Sequence, residues 1–327
     1  MTEDSEPLDP HNRSRLSIYF GKRCWQIGVL ILVSIVFGFL GRLHFLPDLA
    51  SHFRMFQTVG LGVCAVGLLL LKRVRIGLLF LVCTVGLLIP LSPYYLPRSA
   101  TADTDDPAYR ITTVNVKTSN RQYTRVIDLV MSTESDIVIF QETDAPWIDA
   151  INDGLSDVYP FHKAMPRQDN FGIILLSKFP ITESSIESFS DFGLPSIVAE
   201  IDLPKKTVRV IATHPLPPMR TKNWKQRNTT FANVAKLASD DANPITIVAG
   251  DLNCTPWSYW FKKLLTDGNL SDSAIGNGLS NTWYPFPIPM TGLPIDHFLV
   301  GSDIHVTSRF VGPACGSDHR PVTMTFR

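Results

Sequence analysis

The sequence predicts an α/β protein in which three transmembrane helices precede a mixed α/β sandwich. Three long apolar runs without charged residues lie in the first hundred residues. After residue 110, short β-rich segments alternate with amphipathic helical ones, the pattern of a mixed sheet covered by helices. Polar residues recur where the predicted strands end, which predicts a functional site at that edge of the sandwich.

Composition supports this division of the 327 residues. Charged residues are 18% of the chain, below the ~25% that is typical of soluble domains. Residues 1–100 carry 10 basic and 5 acidic residues (+5), whereas residues 101–327 carry 20 and 25 (−5). An acidic C-terminal part argues against strong non-specific DNA binding, which depends on neutralising phosphates.

The three apolar runs are 24–41, 56–71 and 76–91. A helix needs roughly 20 apolar residues to cross a bilayer, and the first run is long enough. The other two are slightly short and depend on the basic stretch between them, LKRVR (71–75), or on local thinning of the bilayer.

The three apolar runs allow two alternatives to three transmembrane helices. Basic residues precede the first run, as in a cleaved signal peptide, but no small-residue cleavage site follows it, and two further runs also need a membrane. A different membrane arrangement of the three runs stays open.

The distribution of Lys and Arg predicts the orientation. It places the tail 1–23 in the cytoplasm and, after three spans, everything beyond residue 92 outside. We therefore expect a multi-pass protein of the cell inner membrane, with its C-terminal domain periplasmic or extracellular and the lipid bilayer as a partner. The membrane region is predicted at 24–96 and a polar, Pro-containing linker at 97–109. No protein partner is inferred.

The C-terminal domain, 110–327, is large enough to bury a substantial core. Its predicted helices are 121–134 and 227–240. Its predicted strands or β-rich segments are 111–116, 136–142, 171–181, 196–203, 206–216, 244–253, 294–302 and 320–327.

Polar side chains cluster at the ends of these strands. They are Asn115, Gln141, Glu142, His214, Asp251, Asn253, Asp296, His297, Asp318 and His319. An unpaired charge at a buried strand end is costly, so this many need a shared explanation, such as a metal and its ligand. The sequence has no glycine-rich phosphate loop, which disfavours ATP chemistry.

Four short motifs carry a resemblance to a known family. QET (141–143), GDLN (250–253), IDHFLV (295–300) and GSDH (316–319) occur in the order seen in the endonuclease/exonuclease/phosphatase superfamily. The chain most resembles bacterial membrane-anchored members of it. The resemblance covers 110–327 and implies a four-layered α/β sandwich, two mixed β-sheets flanked by helices. It also implies hydrolysis of phosphate esters with Mg²⁺, or with Mn²⁺ as the alternative.

The resemblance implies three residues of the metal site. Glu142 resembles the main ligand, Asn115 a further oxygen ligand or supporting group, and Asp318 another ligand. Mg²⁺ prefers such oxygen donors and retains several waters. The alternatives are a solvent-facing carboxylate and a turn asparagine. Ser135 stands where the family often has Pro, and Leu252 where Phe is common; both changes leave the assignment intact.

Five further residues receive catalytic roles. Asp251 resembles the group that aligns or deprotonates the attacking water, and Asn253, two residues on and on the same strand face, resembles a phosphate contact. The alternative for these two is an Asx turn. His214 resembles a histidine that contacts the phosphate or protonates the leaving oxygen, with a structural strand-end histidine as the alternative.

The GSDH motif supplies the last histidine. His319 resembles the group that contacts the phosphoryl oxygen or the nucleophile. Asp296 would hold its imidazole, as a carboxylate orients a catalytic histidine elsewhere. His297, beside Asp296, would face the other way and is expected to be structural.

The substrate stays open at this stage. The leading interpretation is a nuclease-like phosphodiesterase; the alternatives are a phospholipid or phosphate-monoester hydrolase and a catalytically silent binding domain. The basic segment 217–227 could bind a polyanion with Trp224 stacked on a base, or be a solvated loop entering a helix. The aromatic segments 257–261 and 283–289 could enter a lipid interface or lie in the core.

The five cysteines show no metal-binding spacing. Cys24, Cys64 and Cys83 lie in the apolar runs and are expected to be core residues. Cys254 and Cys315 flank the predicted site, and whether they pair is left open.

Overall fold

The computed structural model describes residues 10–96, 107–240, 245–286, 288 and 291–327. The chain divides into two compact units, Met1–Ser92 and Pro93–Arg327. Residues 1–9 of the predicted tail and residues 97–106 of the predicted linker lie outside the described residues. The predicted domain boundaries therefore stay predictions.

The helices are α1 Pro10–Gly38, α2 Phe45–His52, α3 Arg54–Leu70, α4 Val74–Leu88, α5 Ser92–Tyr95, α6 Tyr123–Ser132, α7 Ala145–Leu155, α8 Thr221–Ala238 and α9 Tyr259–Asp267. The strands are β1 Tyr109–Asn115, β2 Ile137–Gln141, β3 Phe161–Met165, β4 Ile173–Ser177, β5 Ile181–Ser188, β6 Pro195–Leu203, β7 Lys206–Thr213, β8 Ile245–Asp251, β9 Ser271–Asp272, β10 Asp296–Val300, β11 Val306–Val311 and β12 Val322–Phe326.

Two helical segments of the described residues are long and apolar enough to cross a membrane, Arg15–Gly38 in the first unit and Val74–Tyr95, which ends just past the boundary of that unit. The predicted middle run, 56–71, lies almost entirely in α3, which is joined to α2 at a bend of 62°. At about 1.5 Å per residue, α3 alone is shorter than the ~30 Å hydrocarbon core. The third span therefore depends on α2 and α3 acting together. The predicted orientation requires an odd number of spans, so it stays a prediction.

The second unit contains two mixed six-stranded sheets. The first has the strand order β11-β12-β1-β2-β4-β3 and the second β5-β6-β7-β8-β10-β9. The pairs β1–β2 and β7–β8 are parallel, whereas their other neighbours are antiparallel. The carboxyl ends of β1 and β2 thus meet at one edge of the first sheet, and β8 ends beside the start of β10 in the second.

Three apolar clusters separate four layers, as predicted. The central cluster lies between the sheets and includes Ile111 and Ile139 from one and Val210 and Ile247 from the other. A second cluster lies between the first sheet and the helices α6 and α7, and a third between the second sheet and α8 and α9. Both faces of the inner strands are covered, which is why strands such as β2 and β4 are continuous apolar runs rather than alternating ones.

The structure changes the interpretation of the basic segment 217–227. The predicted helix 227–240 begins at Thr221, so much of the basic segment is helical. Trp224, Arg227 and Phe231 follow one another at helical spacing and are all buried. The Trp224 ring packs edge-on against Trp260 at 5.6 Å, so it is not available to stack on a nucleic-acid base.

Candidate active site

Strand ends from both sheets meet at one amide. Asn115 closes β1 and lies level with Gln141 at the end of parallel β2. Its Nδ2 donates to Glu142 Oε1 at 3.0 Å and to Asp251 Oδ2 at 3.1 Å. Asp251 ends β8 in the other sheet, so this amide joins two carboxylates that are more than a hundred residues apart in the sequence.

The histidine of the GSDH motif is held by a carboxylate. His319 Nδ1 donates to Asp296 Oδ2 at 2.9 Å, which leaves Nε2 directed toward Asp251 Oδ2, 3.6 Å away. Asp296 lies opposite Asp251 in the β8–β10 pair. The predicted partnership of Asp296 with His319 is therefore present in the fold.

The second predicted histidine lies on the other side of the same carboxylate. His214 Nε2 is 3.4 Å from Asp251 Oδ2, and its ring lies 5.1 Å from that of Phe171. Asp251 is thus between two imidazoles, and all three residues are at most 5% exposed.

Burial and charge oppose each other in this cluster. Burial acts to lower the pKa of His319, but the nearby carboxylates of Asp296 and Asp251 outweigh it and raise this pKa to about 9. The same opposition, with Asp251 as the main partner, raises the pKa of His214. Burial acts to raise the pKa of Asp251, yet the two histidines hold it well below its usual range. The cluster therefore favours a carboxylate flanked by protonated imidazoles.

Glu142 reaches the cluster through an unusual backbone conformation. Its φ is +61°, in the left-handed region that is uncommon outside glycine and that turns the chain sharply as β2 ends. The Thr118 amide donates to Glu142 Oε2 at 3.2 Å, and the Thr118 hydroxyl donates to the Glu142 carbonyl at 3.0 Å. The carboxylate is half-buried, so it remains within reach of solvent.

Asn253 makes the turn that follows Asp251. Its φ is +48°, and its amide donates to Asp251 Oδ1 at 2.9 Å, as in an Asx turn. Its side-chain Nδ2 donates to the carbonyl of Pro215 at 3.0 Å. The turn interpretation thus describes its backbone, and contact with a phosphate stays a prediction.

Asp318 stands apart from the buried cluster. Its carboxylate lies 3.4 Å from Lys117 Nζ and accepts a hydrogen bond from Trp283 Nε1 at 3.3 Å, and its side chain is 30% exposed. His297 faces away as expected and donates from Nε2 to the Cys254 carbonyl at 2.8 Å.

The donor set fits a hard divalent cation. Asp251, Asp296 and His319 offer ligand atoms within 4.8 Å of one another. His319 Nδ1 is already bound to Asp296, however, so this trio is better explained as a hydrogen-bonded unit. Glu142, half-buried beside Asn115 and Asp251, offers carboxylate oxygen with access to solvent, the donor type that Mg²⁺ prefers. Asn115 presents its nitrogen to the carboxylates and its Oδ1 to the Lys117 amide, so its role as a ligand stays a prediction.

Several supporting residues were missed from the sequence. Ser317 donates to the Asn115 carbonyl at 2.8 Å and accepts from the His319 amide at 3.0 Å, which fixes the GSDH turn on β1. Thr282 accepts from the Asp296 amide at 3.1 Å. Ser317 could have been found from its place inside the motif, whereas nothing in the local sequence marks Thr118 or Thr282.

Cys254 and Cys315 are free thiols. They pack in different clusters, Cys254 beneath α8 and α9 and Cys315 beneath α6 and α7, and therefore on opposite sides of the sandwich.

Buried carboxylates and histidines from both sheets thus meet at the strand ends of the two-sheet sandwich. Residues 112–319 match the model of the endonuclease/exonuclease/phosphatase family, more than half of the 327 residues. The chain belongs to this family, and phosphoesterase activity in a general sense is consistent with that membership.

Solved structures share the fold at low sequence identity. An endonuclease/exonuclease/phosphatase from Bacteroides vulgatus superposes with a TM-score of 0.58 at 17% identity, over 68% of this chain and 99% of that one. One from Beutenbergia cavernae gives 0.57 at 19%, over 68% and 72%. Truncated TDP2 of Caenorhabditis elegans gives 0.55 at 17%, over 67% and 97%. No curated protein matches the chain significantly.

Proposed function

We propose that the protein is a membrane-anchored, Mg²⁺-dependent phosphodiesterase of nuclease-like chemistry, in which water attacks phosphorus in line. One observation carries the proposal: the Asn115 amide joins Glu142 to Asp251, and Asp251 lies between His214 and His319. These five groups come from both sheets and from five different ends of the predicted strands. Such convergence of buried, costly groups is expected where they share a substrate.

The pKa shifts in the buried cluster support the role proposed for each of its side chains. The pKa of Asp251 is depressed, so this carboxylate is ionised and is a weak base. It is therefore suited to orienting the attacking water by accepting a hydrogen bond from it, rather than to taking up the water's proton. The imidazoles of His319 and His214, whose pKa values are both raised, would present N–H donors where negative charge develops on the phosphoryl oxygens, and a protonated His214 would give its proton to the leaving oxygen. Asp296 keeps His319 in the orientation that points Nε2 into the site.

Glu142 is the residue proposed to hold the cation, with Asn115 and Asp318 as the predicted additional ligands. When bound, Mg²⁺ would neutralise part of the charge on the phosphoryl group. Mn²⁺, with similar preference for oxygen donors, is the expected substitute.

A phospholipid headgroup is the second candidate substrate. A cavity of about 410 Å³ beside Asp318 is lined by Lys117 and Arg320 and by the aromatic pair Tyr284 and Phe286. Phe286 is 62% exposed and Ile288 54% exposed, an unusual amount of apolar surface beside a charged cleft. The apolar N-terminal helices are proposed to hold the protein in the bilayer, where such substrate is abundant. Periplasmic or extracellular placement of the domain is part of the same proposal.

The test uses full-length protein in detergent with a panel of DNA, RNA, mixed phospholipids and a phosphomonoester, with and without Mg²⁺. Turnover that requires Mg²⁺ and that Glu142→Ala abolishes supports the proposal. DNA or RNA cleavage identifies the first candidate, and headgroup release identifies the second. No turnover of any ester, with no Mg²⁺ bound, would establish the silent binding domain.

A further inference from the structure

A second group of buried ionisable residues lies on strands β9, β10 and β11, next to the candidate site. Asp272 on β9, His297 on β10 and Arg309 on β11 are 0%, 1% and 8% exposed. Burying charges costs free energy unless partners compensate it. The roles proposed above for the catalytic cluster use none of the three.

This group is connected to the candidate site through Arg309. Its guanidinium faces the carboxylates of Asp272 and Asp296, and its Nη2 donates to the Asp296 carbonyl at 3.2 Å. The Asp296 side chain in turn binds His319 Nδ1. Arg309 therefore fixes the backbone of the residue whose carboxylate orients the imidazole.

Tyr94 closes the buried group on its other side. It is 9% exposed, and its hydroxyl lies near the Asp272 carboxylate and the Arg309 guanidinium. Two backbone hydrogen bonds set its position, from the Gly276 amide to the Pro93 carbonyl at 3.0 Å and from the Gly278 amide to the Tyr94 carbonyl at 2.8 Å. Both glycines have positive φ, +79° and +82°, a conformation that most side chains disfavour.

We propose that Tyr94, Asp272 and Arg309 are positioning residues that hold Asp296, and through it the imidazole of His319, in the orientation that the reaction needs. This inference rests on the proposed function. Tyr94 lies in the second unit, near the end of the short helix α5, so the order of this residue contributes to order at the site. A hydroxyl beside a buried carboxylate can donate a charge-assisted and directional hydrogen bond, which suits it to fixing a position.

The kinetic test compares Tyr94→Phe with Tyr95→Phe in the full-length protein, since Tyr95 is 59% exposed and offers a matched hydroxyl deletion. We expect Tyr94→Phe to lower kcat about three- to tenfold with KM unchanged, because misorientation affects the reaction more than binding. In an Asp272→Asn background the same change should cost nothing further. Unchanged kcat, equal losses in both tyrosine variants, or fully additive losses would overturn the proposal.

A second readout is independent of turnover. The Nδ1–H proton of His319, bound to Asp296, gives a downfield proton resonance that is assigned by its loss in His319→Gln. We expect Tyr94→Phe to shift or broaden it and Tyr95→Phe to leave it in place; an unaltered resonance in Tyr94→Phe overturns the inference. If the wild-type protein hydrolyses no ester, the proposed function fails, while this resonance still decides the positioning role. Arg309→Lys, which keeps the charge but loses the planar donor, repeats both tests if Tyr94→Phe does not fold.

Discussion

The candidate site has two halves that differ in how far they are assembled. The inner half is His214, Asp251, Asp296 and His319, whose side chains are at most 6% exposed and hydrogen-bonded or ion-paired with one another. The outer half is Glu142, Lys117 and Asp318; the last two form a 3.4 Å ion pair with side chains 44% and 30% exposed. The inner half is thus organised by the fold itself, whereas the outer half faces solvent, where a cation and a substrate would complete it.

The largest expected effect lies in the inner half. His319→Gln should lower kcat by about a thousandfold, because it replaces a cationic imidazole aimed at the developing charge with a neutral amide. Steady-state kinetics on the best substrate of the panel measures the loss. His162→Gln, at an exposed position on β3, is the control and should keep full activity. A loss under tenfold for His319→Gln would show that the inner half is not the reacting centre.

The backbone beneath the inner half gives the next effect. Gly250 has φ +136°, and a Cβ there would lie 2.2 Å from the Thr213 carbonyl oxygen on the neighbouring strand. We expect Gly250→Ala to lower the free energy of unfolding by about 3 kcal/mol or more, since backbone must move. Gly193→Ala, with φ +63° and open space around it, should cost only about 1 kcal/mol. Thermal unfolding followed by tryptophan fluorescence compares the two, and equal costs would contradict the close packing of β7 against β8.

The two halves also differ in how far the sequence could predict them. The residues of the inner half lie at the ends of buried strands, where a polar residue stands out from the apolar sequence around it. Asp251, Asp296, His214 and His319 could therefore be identified from the apolar pattern and the short motifs. The local sequence does not predict the contacts that hold the residues of the outer half in place. Thr118 reaches Glu142 only because β1 and β2 run in parallel, and Lys117 meets Asp318 only after the last strand pairs with β1.

The predicted fold also differs from the structure where the local sequence is uninformative. The four-layer sandwich followed from apolar strands and the motif order, yet β5 was missed because its burial alternates weakly at the edge of its sheet. The bend between α2 and α3 also escaped prediction. An apolar run predicts an apolar helix but does not predict where it bends; α2 ends at His52 and α3 begins at Arg54.

Glu142→Gln tests whether the outer half binds the cation. We expect the Mg²⁺ dissociation constant to rise about ten- to a hundredfold, because a charged oxygen ligand becomes neutral. Thermal stability without metal should stay the same, since the side chain is only half-buried. Isothermal titration calorimetry measures the binding, with exposed Glu187→Gln as the control. Unaltered Mg²⁺ affinity would move the cation to the inner trio Asp251, Asp296 and His319.

The smallest expected effect is at Lys117, and it sharpens the comparison most. Its pairing with Asp318 is half-exposed, and such pairs contribute at most about 1 kcal/mol to stability, so Lys117→Met should leave unfolding unchanged. Because its ammonium lines the cavity beside the site, we expect KM for an anionic ester to rise about three- to fivefold at low salt, with kcat nearly constant. Lys236→Met, which removes an exposed charge from the end of α8, controls for net charge. If Lys117→Met lowers kcat instead, Lys117 acts on the reacting phosphoryl group, and the division between an inner reacting half and an outer binding half is wrong.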